Sequence, residues 1–79
     1  WINMARLPSL KPRVVIRALQ KAGFYIHHQT GSHVQMRHHI KHHLRLTIPS
    51  HSGFDLPPYV ILSIIHQAGM NREDFLNLL

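Results

Sequence analysis

The spacing of apolar positions changes twice along the chain, and the changes mark out its elements. From Pro8 to Gly23 the period is helical. Val15, Ala18, Leu19 and Ala22 fall at i, i+3, i+4 and i+7, a single stripe. Pro12 suits the first helical turn, where a missing N–H costs nothing, and Gly23 is placed to end the helix as a C-terminal cap. From Phe24 to Ile48 the period is two. Phe24–Gln29, His33–His39 and Leu44–Ile48 alternate, with Phe24, Ile26, Val34, Met36, Leu44, Leu46 and Ile48 facing inward. Gly31-Ser32 makes the first reversal, where glycine permits a positive φ. Ile40-Lys41 lies near the second reversal, and Pro49 ends the third strand because it cannot donate to a ladder. After a loop over 50–54 the helical period returns. Asp55 stands as N-cap, Pro57 in the first turn, Ile61, Leu62, Ile65 and Ala68 inward, and Gly69 at the close. Asn71-Arg72-Glu73-Asp74 resembles a capping box that opens a short last helix, with Phe75, Leu76 and Leu79 available for docking.

This order predicts an α+β fold, α-β-β-β-α with a short C-terminal helix. Each main helix has one apolar stripe and the sheet one apolar face, so both helices pack on the same side of a three-stranded antiparallel sheet. That is the layout of a double-stranded-RNA-binding domain. The other face of the sheet gathers Tyr25, His27, Gln29, His33, Gln35, Arg37, Arg45 and Thr47, rich in donors and without an acid.

Charge sharpens that picture. Nine Lys and Arg against three Asp and Glu give a formal charge of +6 before any of the nine histidines is protonated. Such a surface attracts polyanions, nucleic acid first and an acidic protein second. Arg13, Arg17 and Lys21 lie four apart in a row on the first helix, suited to tracking a phosphate backbone; a solvated helix face is the plainer reading. A two-metal nuclease needs several converging carboxylates, and Asp55, Glu73 and Asp74 are too few. With 44% apolar residues the chain folds, as one small domain. With no cysteine it has neither a disulfide framework nor a thiolate metal site. No apolar run approaches a membrane span. Met4 reads as the natural start, with Trp1 to Asn3 upstream and Met4–Leu79 a single domain, and the expectation is a cytoplasmic protein.

Four motifs in order then carry a resemblance. They are Leu19-x-x-x-Gly23-Phe24, Gly31-Ser32-His33, Thr47-Ile48-Pro49-x-His51, and Ile61-Leu62-x-Ile64-Ile65-x-Gln67-Ala68-Gly69-Met70. Together they span Pro8 to about Leu78, and the chain resembles the HicA (YcfA-like) family of small toxins, partners of HicB antitoxins. The resemblance implies a double-stranded-RNA-binding-like fold and a metal-independent endoribonuclease acting on messenger RNA. It implies that His33, the histidine of Gly-Ser-His, is catalytic. Two features depart from the family pattern. Where the family often has Lys-Gly-Thr before the second helix, Pro57-Pro58-Tyr59 stands here, and prolines remove backbone N–H donors from a helix start. The second hairpin also carries His38-His39-Ile40-Lys41-His42-His43.

RNA carries its own nucleophile in the 2′-hydroxyl, so cleavage needs proton transfer and phosphate positioning, with no cofactor. In this reading His33 is general base or acid and His51 the candidate second proton carrier. Arg37 or Arg45 stabilises charge on the phosphate, and Ser32, Arg13, Arg17 and Lys21 join them in RNA binding. The partners are messenger RNA and a HicB-type antitoxin, with no membrane. The oligomeric state stays open, with dimerisation through the tail after Gly69 as one outcome. Two alternatives accompany this reading: a non-catalytic RNA-binding module on the same basic face, and a metal-binding protein built on the histidine hairpin. The plainer reading of that run is a polar, soluble edge. Met36 and Met70 read as core packing, as does Met4 where it is not terminal. Tyr25 and Tyr59 read as half-buried residues able to stack on bases, and His66 as exposed or structural.

Overall fold

The computed structural model describes residues 6–51 and 53–79. The start expected at Met4, and any packing by that residue, lie outside the described residues. Six elements follow in order: α1 Pro12–Lys21, β1 Phe24–Gln29, β2 His33–His38, β3 Arg45–Pro49, α2 Pro58–Gln67 and α3 Arg72–Leu76. The strands form an antiparallel sheet in the order β1-β2-β3. The α+β layout of a double-stranded-RNA-binding domain is what the chain adopts. Among the described residues no helix is long and apolar enough to cross a membrane.

One cluster makes the core. Val15, Ala18 and Leu19 of α1 and Ile61, Ile64 and Ile65 of α2 pack with Val34, Met36, Leu46 and Ile48 of the sheet, and Phe75 of α3 joins them. Each large apolar side chain so buried contributes roughly 1.5–3 kcal/mol. The helices therefore share one face of the sheet and leave the other to solvent.

The elements differ from the sequence reading where tertiary pairing overrides local signals. The first helix begins at Pro12, the first-turn position expected of it, but the segment before it is no entry turn: Leu10 is extended, bonded to Leu56 in both directions at 3.1 and 2.7 Å. That bridge holds the chain extended through Leu56, so α2 starts at Pro58. Its N-cap is Pro57, without a side-chain cap, and Asp55 pairs instead with Lys11 at 3.4 Å. In α2 Ile64 is buried and Leu62 only half-buried, while Ile61, Ile65 and Ala68 face inward as expected. The first strand carries a bulge between Ile26 and His28. Before it Tyr25 pairs with Arg37, and after it His28 pairs with Gln35, so His28 takes the face assigned to His27 and Gln29. Ile26, expected inward, pairs with Met36 on the helix side but lies on the edge strand and stays 40% exposed. Gly31 is not among the residues with positive φ; Gly23, Gly53 and Gly69 are. The first hairpin closes instead through Thr30 and His33, whose backbone groups bond at 2.9 Å. In α3 Asn71 caps as expected, accepting from the Asp74 N–H at 2.8 Å. Leu78 packs against the core, whereas Leu79 is exposed.

Candidate functional site

His33 opens β2 and is held by its neighbours. Its backbone N–H donates to Thr30 Oγ1 at 3.1 Å, and the Thr30 hydroxyl donates back to its carbonyl at 3.3 Å. Ser32 Oγ lies 3.0 Å from His33 Nδ1. That bond engages Nδ1 of the ring. Residues on β2 alternate, so with Val34 and Met36 buried, His33, Gln35 and Arg37 lie on the solvent side.

His51 arrives from the far end of β3. His33 pairs with Pro49, and one step further the Ser50 N–H donates to the Ser32 carbonyl at 2.8 Å. The next residue, His51, is thus carried alongside the Gly31-Ser32 turn. Its ring stands 6.3 Å from that of His33, centroid to centroid, edge to face at 73°. Two imidazoles eighteen positions apart in sequence meet because the β2–β3 ladder ends there.

Beside His51 a cleft of about 440 Å³ opens between the two loops and the start of α1. Lys11, Pro12, Arg13, Gly31, Ser50, His51, Gly53 and Phe54 line it. Arg13 is therefore the member of the helix row that reaches this site. Arg17 is exposed one turn on. Lys21 closes α1 and donates to the Leu78 carbonyl at 3.0 Å, which ties the C-terminal segment to the helix. Arg37 and Arg45 form a separate group: they are direct cross-strand partners, with Tyr25 opposite Arg37 on the other side. Four residues of strand separate Arg37 from His33, about 13 Å. Lys11 and Phe54 went unnoticed in the sequence, although Phe54 fits no apolar period and its loop carries His51.

The histidine run has a structural role. The backbone N–H groups of Ile40 and Lys41 donate to His38 Nδ1 at 3.1 and 3.0 Å, which requires that nitrogen to be unprotonated. The proton then sits on Nε2, which donates to the Ala22 carbonyl at 2.9 Å. His39 Nδ1 bonds the Gly23 carbonyl at 2.9 Å and His42 Nε2 the His39 carbonyl at 3.0 Å. These rings tie the second hairpin to the end of α1. Among the described residues no three His or acidic side chains converge as a metal site requires.

The family model described as "HicA toxin of bacterial toxin-antitoxin" matches residues 12–70. This chain belongs to the HicA toxin family. As a HicA toxin it is the toxin of a toxin–antitoxin system, a role that implies an antitoxin partner. The match runs from the first residue of α1 past the end of α2, and both histidines of the site fall inside it. No curated protein sequence matches this HicA chain.

Proposed function

We propose that this HicA toxin is a metal-independent endoribonuclease that cuts messenger RNA with His33 and His51 as its proton carriers. The observation that carries the reading is the approach of the two rings to 6.3 Å beside a cationic cleft. A phosphodiester fits between two imidazoles so placed, with a hydrogen bond of about 2.6–3.2 Å to each. In the tautomer whose Nδ1–H donates to Ser32 Oγ, His33 Nε2 takes the proton of the 2′-hydroxyl. The 2′-oxygen attacks phosphorus, the bond to the 5′-oxygen breaks, and His51 protonates that oxygen. The products are a 2′,3′-cyclic phosphate and a 5′-hydroxyl end.

We assign the cations by their distance from the two histidines. Arg37, four residues along β2 from His33, and its partner Arg45 on β3 lie about 13 Å along the sheet from the phosphate held at His33, so we assign them to flanking phosphates. Arg13 and Lys11, which line the cleft with His51, are the cations nearest the reacting centre. We place the action in the cytoplasm, within a single domain, and the partner as a HicB-type antitoxin whose acidic surface covers the cleft. A homodimer through the segment after Gly69 is a less supported reading, because Leu78 and Phe75 already pack within the chain.

Incubating the protein with a defined RNA in excess chelator, beside His33→Ala, tests the proposal. Cleavage with 5′-hydroxyl ends is expected, falling roughly 10²–10⁴-fold in the variant, and DNA of the same sequence stays whole. Undiminished cleavage by the variant removes His33 from the mechanism. Intact RNA with salt-sensitive binding makes the protein an RNA-binding module instead.

A further inference from the structure

The loop after β3 displays a phenyl ring to water. Phe54 is 70% exposed, while Leu56, two residues on, is buried. Phe54 is anchored through its described neighbours. Gly53 turns at φ +82°, the Phe54 N–H donates to the His51 carbonyl at 3.2 Å, and Leu56 is clamped to Leu10 by two backbone bonds. That clamp sets Phe54 beside Lys11 and Arg13, on the wall of the cleft that His51 also lines. The ring is the one carbocyclic aromatic among the residues of that wall.

We infer that Phe54 is a base-stacking platform, a subsite for the nucleobase that flanks the phosphate held at His51. This rests on the ribonuclease reading of the site and names a residue that reading does not use. A cleft of about 440 Å³ is within the range that takes a small ligand. Every base has a π-face, and stacking on an exposed aromatic ring is a sequence-tolerant way to hold single-stranded RNA. The flanking cations suit the phosphate that every nucleotide brings with its base. A protein anchor is disfavoured by the same wall, since an apolar side chain seated on Phe54 would meet Lys11, Arg13 and His51 around it. Gly31, which also lines the cleft, has nothing within 4 Å of where a Cβ would stand.

The test titrates adenosine 5′-monophosphate and ribose 5-phosphate into the full chain, followed by NMR at the Phe54 ring and His51, in wild type, Phe54→Ala and Phe54→Trp. The nucleotide is expected to move both signals and to bind more tightly than ribose 5-phosphate. Phe54→Ala should lose about 5- to 100-fold in affinity for the nucleotide and nothing for ribose 5-phosphate. Phe54→Trp should restore it. In RNA cleavage the alanine variant should raise KM with little change in kcat. Equal affinity of wild type and Phe54→Ala for the nucleotide overturns the inference even if RNA is cut. So does an unmoved Phe54 ring together with weakened antitoxin affinity in the variant, which assigns the ring to the protein interface. Phe54-dependent nucleotide binding without RNA cleavage removes the ribonuclease reading and leaves the base subsite standing.

Discussion

Two glycines with the same look in sequence do opposite work. Gly23 has φ +99°, and a Cβ there would come within 2.7 Å of His38 Nε2. Gly31 has no positive φ and no atom near its absent side chain. Substitution by alanine should therefore separate them. Gly23→Ala should cost about 1–3 kcal/mol, from backbone strain and from displacing the His38 ring. Gly31→Ala should stay within roughly 0.5 kcal/mol of wild type. Urea unfolding of both variants checks this, and an equally damaging Gly31→Ala would mean that the hairpin turn strains its backbone after all. The Gly-Ser-His motif thus owes its shape to Thr30, whose hydroxyl and amide both engage His33, more than to the glycine.

At the scale of elements, the hairpin between β2 and β3 is built from side chains that read as surface. His38 satisfies two backbone N–H groups and one carbonyl, and its ring meets the edge of Phe24 with centroids 4.9 Å apart. His43 is exposed and lies at the same hairpin. His38→Ala should lower stability by about 1–3 kcal/mol, and for a domain of this size each kcal/mol lowers Tm by roughly 4–8 °C. His43→Ala should leave Tm unchanged. Equal Tm values for the two variants would return the run to a solvated edge. The periodicity of the chain made the six elements, their order and most of the core legible, because burial imposes a period on every element that touches it. What stayed hidden is set by pairing between distant segments. The Leu10–Leu56 bridge moved the start of α2, the bulge after Ile26 switched the faces of β1, and the β2–β3 ladder brought His51 to His33. A local pattern carries none of these. His33 stood out through its motif and Arg13 through its row, whereas Phe54 broke a pattern without joining another.

For the molecule as a whole, the solvent-facing side of the sheet is a cationic surface kept at a cost to the fold. Arg37 and Arg45 are direct cross-strand partners. Like charges directly opposed destabilise a sheet by a few tenths of a kcal/mol. Among the described residues Lys11–Asp55 is the one ion pair, so no acid relieves that opposition. A phosphate would. Replacing both arginines with glutamine should therefore move two properties in opposite directions. The free protein should become slightly more stable to urea. Binding to single-stranded RNA should weaken, and its dependence on salt should flatten by about 1.4 in the slope of log K against log salt, about 0.7 for each phosphate no longer neutralised. Cleavage at saturating RNA should change little, because the pair lies about 13 Å from His33 along the strand. An unchanged salt slope with the stability gain intact would mean that the arginines face a partner other than RNA, and the antitoxin, drawn by the same +6 charge, would be the first to test.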